Sequence, residues 1–282
     1  MSISYPGTND IDEQKAIQYN ITEDDDTFLE EIFEHTFEGI EVIITDTSNH
    51  KTLSLEEYLD LASLGAAPAD LNSVTITYEV YNNTTSMNLT YTATYAWYTG
   101  TKPTSISINT YLASGPLKYG AKTKRGTNSH TLRNVGQTAS VTAGGRTDFW
   151  QGGFDATINY LGLPMSKHSS LSDPYLYNKK AALYPTWQDS HSRISMYEPD
   201  RADWPEVPAS QRVSWGTKER TEYITWYHKT YGTPPYPIHV GSQYEIHHIK
   251  PRKYGGTNIP SNLIPLPVSF HRTVVNSWWT NY

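Results

Sequence analysis

Residues 74–97, VTITYEVYNNTTSMNLTYTATYAW, decide the fold. Val74, Ile76, Tyr78 and Val80 alternate with Thr75, Thr77 and Glu79. Beyond the polar residues 82–86, Leu89, Tyr91, Ala93, Tyr95 and Trp97 alternate with Thr and Ala. A period of two in β-branched and aromatic residues marks half-buried strands, because successive side chains on a strand point to opposite faces. Gly100 and Pro103 mark a turn, and Ile106, Ile108 and Tyr111 resume the pattern. Residues 73–160 therefore read as an antiparallel β-sandwich-like domain. The Tyr and Thr rows are its core and face rather than a ligand-binding stripe.

Outward from this domain the pattern changes on both sides. Residues 1–72 form an acidic region of mixed helix and strand. After an irregular lead over 1–26, Thr27 starts a helix with Glu30 and Glu31 in its first turn and Phe28, Leu29, Ile32 and Phe33 on one face. Residues 40–44 read as a strand. Ser54 followed by Glu57 is a capping box that opens a helix over 55–64. On the other side, residues 161–212 are rich in Ser, Pro, Asp and Trp without a period and read as an irregular connection. Residues 217–231, TKERTEYITWYHKTY, read as a helix.

The 282 residues carry a net charge of −7, divided unevenly. Residues 1–70 hold 17 acidic and two basic residues, and residues 71–282 hold 20 basic and 12 acidic ones. Residues 80–147 contain seven basic residues and no acidic one. Such a split suits surfaces that meet phosphate or an anionic membrane. The absence of cysteine excludes a disulfide scaffold and Cys-ligated zinc. No apolar run reaches the ~18–20 residues of a membrane span. The start, MSISYPGTNDIDEQ, lacks the basic and apolar regions of a signal peptide, so synthesis in the cytoplasm is expected.

The chemistry is concentrated in residues 244–279, YEIHHIKPRKYGGTNIPSNLIPLPVSFHRTVVNSWW. Tyr244, Ile246 and His248 point one way from a strand, and Glu245 and His247 the other. Pro251 ends that strand, residues 253–258 form a glycine-bearing loop, and residues 262–266 form a second strand between prolines. Residues 268–279 have helical potential, with Phe270, Val274, Val275 and Trp278 as apolar positions. Neighbouring His247 and His248 face opposite sides, so they cannot easily bind one ion and different roles are expected.

This strand, loop, strand, helix order resembles the HNH endonucleases, whose core is the ββα-metal finger. The resemblance covers about 40 residues: the His-His pair, the Gly-Gly, Asn262 fifteen residues after His247, and His271 nine residues later. The Tyr-Glu-x-His-His opening is most similar to nuclease domains at the C-termini of polymorphic bacterial toxins. The resemblance implies that His247 and His271 bind the metal and that His248 is the general base. It implies that Asn262 ties the loop and orients that base. Glu245 is a candidate acceptor for a nearby Arg or His. Lys250, Arg252, Lys253 and Arg272 are expected to bind nucleic acid through phosphates, which carry affinity rather than sequence information. Some colicin-type relatives place a further metal His four residues after the His271 position. Here that residue is Val275, and Asn276 lies about 140° from the preferred face of an α-helix.

The expected architecture is thus α+β: an acidic region (1–72), a β-sandwich-like domain (73–160), a connecting segment (161–212) and an HNH nuclease domain (213–282). The expected function is metal-dependent cleavage of DNA with little sequence preference, by a bacterial toxin effector, with RNA left open as a substrate. One divalent ion, Zn, Ni, Mn or Mg, is implied. An immunity protein and a specialised secretion or delivery machinery are the further partners, with no transmembrane segment. The alternative is a membrane- or glycan-binding sandwich protein whose HNH-like finger is non-catalytic.

Overall fold

A computed structural model describes residues 36–64, 71–238 and 243–282. The helix expected from Thr27 lies outside these residues, as does His239. The chain opens with β1 (Thr36–Asp46) and β2 (Lys51–Leu53), followed by α1 (Leu55–Ser63). The Ser54 hydroxyl accepts from the Glu57 amide and the Glu57 carboxylate from the Ser54 amide, the reciprocal cap foreseen for α1. Then come β3 (Leu71–Asn83), β4 (Asn88–Thr99), β5 (Ser105–Gly115), β6 (Thr123–Leu132), β7 (Thr138–Gly144), β8 (Asp148–Tyr160), β9 (Leu163–Leu171) and β10 (Tyr175–Tyr177). All their pairings are antiparallel. One sheet has the order β2-β1-β3-β4-β7. The other has β10-β8-β5-β6, with β9 also on β8. No helix among the described residues is long and apolar enough to cross a membrane.

The inward rows of both sheets form one core. Val74, Ile76, Val80, Leu89, Tyr91, Ala93 and Tyr95 meet Ile106, Ile108, Leu112, Phe154, Ala156 and Ile158. Trp97 departs from its row. The register jumps from Ile76↔Tyr95 to Thr75↔Trp97, so Ala96 is bulged and Trp97 turns to the solvent face.

The sandwich is wider than 73–160. β1 pairs along its whole length with β3, from Thr36↔Tyr81 to Asp46↔Leu71, so much of the expected acidic region is sheet. β9 and β10 extend the second sheet to Tyr177, inside the expected irregular connection. The period is invisible in β9 because its buried positions are polar: Ser166 bonds Thr45 at 2.8 Å and Ser170 bonds Glu41 at 2.6 Å.

Beyond Tyr177, the short strands β11 (Trp187–Gln188) and β12 (Ser195–Met196) pair with each other. The helix α2 (Thr217–Tyr231) buries Tyr223 and Tyr227. Asp189 anchors it to the connection by accepting hydrogen bonds from the Tyr227 and Tyr236 hydroxyls. Strands β13 (Tyr244–His248) and β14 (Leu263–Pro267) pair antiparallel, and a π-helix (Phe270–Val275) leads into α3 (Asn276–Thr280).

The expected boundary at residue 212 is not a break in packing. Ile264, Leu266, Phe270, Val274, Val275 and Trp278 share a core with Phe149 of β8, Leu176 of β10, and Tyr184, Met196 and Ala202 of the connection. The cause is geometric: β13 and β14 form only a two-stranded ribbon, which needs an apolar layer from elsewhere to be stable.

Candidate active site

The loop between β13 and β14 sets the site. Gly255 has φ +85°, which favours glycine, and a side chain on Gly256 would collide with the Lys250 carbonyl. Asn262 closes the same loop. Its Oδ1 accepts from the Lys250 amide at 2.8 Å, and its Nδ2 donates to the Lys250 and Thr257 carbonyls at 3.1 and 2.8 Å.

His247 and His248 are both buried and diverge as neighbours on a strand must. His247 Nδ1 lies 3.1 Å from His271 Nε2. On the far side of His271, Nδ1 donates to Glu245 Oε2 at 3.0 Å, and Arg272 holds the other carboxylate oxygen at 2.5 Å. That bond keeps the His271 proton on Nδ1 and leaves a lone pair on Nε2, facing His247. Glu245 is the acceptor expected from the sequence, and it serves both the His and the Arg.

His248 faces another set of groups. Its Nε2 lies 2.9 Å from Asn258 Oδ1, while Asn258 Nδ2 donates to the Ser214 carbonyl at 2.8 Å. The second bond fixes the amide orientation, so Nε2 carries the proton and Nδ1 keeps a lone pair. The Trp215 ring meets the His248 ring edge-on, centroids 4.4 Å apart.

Both faces open onto one cleft of about 330 Å³, lined by Arg212, Trp215, His247, His248, Arg252, Lys253, His271 and Asn276 among others. Burial is the main cause that holds all three imidazoles below their ordinary value. For His247, burial acts together with the neighbouring His271 and His248. For His248, the Asn258 bond opposes burial and the Arg252 charge adds to it. For His271, Glu245 opposes burial. All three are therefore neutral near pH 7.

Two imidazoles suit a divalent ion. Nitrogens in adjacent positions on a metal, each at about 2.0–2.1 Å, stand roughly 2.9–3.4 Å apart, and these stand 3.1 Å apart. The carboxylate behind His271 is the usual support for a ligating imidazole. His247 Nε2 is buried without a hydrogen-bond partner, so Nδ1 is the nitrogen directed at the shared space. No group of three or more His, Cys, Asp or Glu side chains suited to a metal occurs among the described residues. His247 and His271 are the candidate donors.

Of the four residues expected at nucleic acid, Arg252 and Lys253 line the cleft. The Arg252 guanidinium also donates to the Val213 carbonyl, and Lys253 pairs with Glu206 at 2.6 Å. Arg272 is engaged by Glu245, and Lys250 sits over the Trp204 ring at 4.8 Å. The role expected for Asn262 divides: it ties the loop, but the amide that touches His248 belongs to Asn258.

Asn276 is a second correction. In an α-helix it would face away from His271. Here its amide bonds the His271 carbonyl, five residues back, and the π winding brings it round onto the cleft. The same winding lets Phe270, Val274, Val275 and Trp278 all be buried. Arg212 ends the connection and Trp215 sits just before α2, and nothing in the sequence marked either.

No family model, curated protein or solved structure matches the chain.

Proposed function

We propose that this chain is an HNH-type, metal-dependent endonuclease that hydrolyses phosphodiester bonds of DNA with little sequence preference. The observation that carries the reading is the way two neighbouring imidazoles diverge across one strand. His247 meets His271 on one face, and His248, held by Asn258, opens from the other into the same cleft.

Held by His247 and His271, a divalent ion would supply Lewis-acid stabilisation of the charge that builds on phosphate and leaving oxygen. Glu245 keeps the His271 proton on Nδ1, and burial keeps His247 neutral, as a ligating imidazole must be. Asn258 keeps the His248 proton on Nε2, so Nδ1 is free to accept a proton from the attacking water. Arg212 and Arg252 place positive charge along the cleft, where backbone phosphates would lie. Asn276 adds an amide to the same wall.

The test is plasmid cleavage by wild type, His248→Ala and His271→Ala, with and without EDTA. Wild type is expected to cut until chelated. His248→Ala should keep the metal and lose turnover, and His271→Ala should lose the metal. Equal cutting by wild type and His248→Ala would overturn the role of His248.

The resemblance carries the further proposal of a toxin effector with an immunity protein and a delivery route. Growth arrest on expression, relieved by co-expressing the adjacent gene product, is the expected result. Undisturbed growth counts against it.

A further inference from the structure

The end of the sandwich remote from the cleft carries an anomaly. Tyr160 pairs with Leu163 across the β8–β9 hairpin, whose two turn residues, Leu161 and Gly162, have φ +50° and +79°. Two left-handed residues make the tight turn that suits a twisted hairpin, and its first position favours Asn, Asp or Gly. Leucine is disfavoured there by sterics. This leucine also gains nothing from burial, being 85% exposed, and Leu163 beside it is 56% exposed.

Two more exposed apolar side chains stand at the same end. The Thr104 amide donates to the Asn159 carbonyl, and the Thr104 hydroxyl accepts from Gly162, so residues 100–104 lie against the hairpin. Lys102 donates to Asn134 at 3.0 Å, which joins residues 133–137 to the group. Tyr95 exchanges main-chain bonds with Gly136 and Gln137, which places Val135 close to the end of β4. Trp97, turned outward by the bulge, is 63% exposed, and Val135 is 42% exposed.

The three loops at this end hold charges of one sign. Residues 100–104, 132–137 and 160–163 contain Lys102 and Arg133 and no acidic residue. Asp46, on the adjoining β1–β2 turn, is buried and bonded to Ser48 and Asn49. The C-terminal elements pack at the other end, against Phe149. Phe149 and Asn159 are ten residues apart on β8, about 33 Å at ~3.3 Å per residue.

We propose that this end docks on an anionic lipid bilayer. Leu161, Leu163, Trp97 and Val135 enter the interfacial zone, and Lys102 and Arg133 meet the headgroup phosphates. The distance along β8 leaves the cleft facing solution while the tip is engaged. Apolar tips flanked by Lys102 and Arg133 match such a surface in both chemistry and sign, and the lipid contact accounts for a leucine where the turn favours Asn or Gly.

The test is flotation of the full chain with phosphatidylcholine vesicles, with and without phosphatidylglycerol. Wild type should float with the anionic vesicles and much less with the neutral ones. Leu161→Asn combined with Leu163→Ser should weaken partitioning at least about tenfold. Asn suits the left-handed turn, so the thermal midpoint should hold or rise and a folding defect is ruled out directly. Lys102→Gln with Arg133→Gln should abolish the preference for anionic lipid. Wild type that floats with neither vesicle, flotation indifferent to lipid charge, or a Leu161→Asn/Leu163→Ser protein that binds like wild type would each overturn the proposal.

Discussion

Replacing Asn262 with Ala separates two roles that the sequence had joined. The side chain makes three hydrogen bonds, all to main-chain groups of its own loop, at 2.8, 3.1 and 2.8 Å. At about 1 kcal/mol net per bond, their loss costs roughly 2–3 kcal/mol. With an unfolding entropy of about 2 cal/mol/K per residue over the whole chain, that lowers the melting temperature by about 4–5 °C. Asn258→Ala removes the acceptor on His248 and one bond to the Ser214 carbonyl, at a half-exposed position. Its stability cost is nearer 1 kcal/mol. If His248 is the base as proposed, the effect on turnover should be larger, because an imidazole free to adopt the wrong tautomer forfeits part of the ~10²–10⁴-fold that a general base contributes. The assay is thermal melting by circular dichroism beside single-turnover cleavage of a labelled duplex. Asn262→Ala should lower the melting point with a modest rate loss, and Asn258→Ala should do the reverse. An Asn262→Ala protein that melts like wild type and has lost turnover would refute the argument, because that side chain would then be acting on the base.

Three other outcomes are expected. Glu245→Gln allows an amide N–H to face His271 Nδ1 and release its tautomer, so metal affinity should fall about 10–100-fold in a chelator competition; unchanged affinity would remove the carboxylate from the metal's support. In EDTA, stability should be full above about pH 6.5 and decline as pH falls toward the depressed folded-state values of His247, His248 and His271. The unfolded chain takes up protons there that the folded chain refuses, and a melting temperature flat from about pH 7.5 to 5.5 would contradict the shifts. Because Phe149 and Leu176 share a core with Ile264 and Phe270, heat should melt the sheets and the C-terminal elements in one transition, recorded alike by far-UV dichroism and tryptophan fluorescence; two separated midpoints would contradict the shared core.

What could be read in advance followed from how plainly burial is written in residue type. β3 and β4 were legible because their buried rows from Val74 to Val80 and from Leu89 to Tyr95 are aromatic or aliphatic and their outward rows are largely Thr and Ser. β9 was not, since its inward positions are serines satisfied by Thr45 and Glu41. Trp97 fits the period in sequence and breaks it in space, because one bulged residue flips everything after it. The site divides in the same way. Glu245, His247 and His248 lie on a short strand where spacing fixes direction, and their directions followed. Asn258 was passed over because it sits in a loop, where spacing fixes nothing. Asn276 was misplaced because an α-helical wheel does not describe a π turn. Arg212 and Trp215 reach the cleft from a distant stretch without a period, so only tertiary structure brings them in.

The apolar seam beneath Phe270 and Trp278 has a practical consequence. A C-terminal unit of this size invites transplantation onto other carriers. Cut loose at residue 213, this one would shed the lining that Phe149, Leu176 and Met196 give it and leave greasy side chains bare on both halves. Anyone building chimaeras from this chain should exchange that unit together with its bed, or redesign the inward face of the last helix for water.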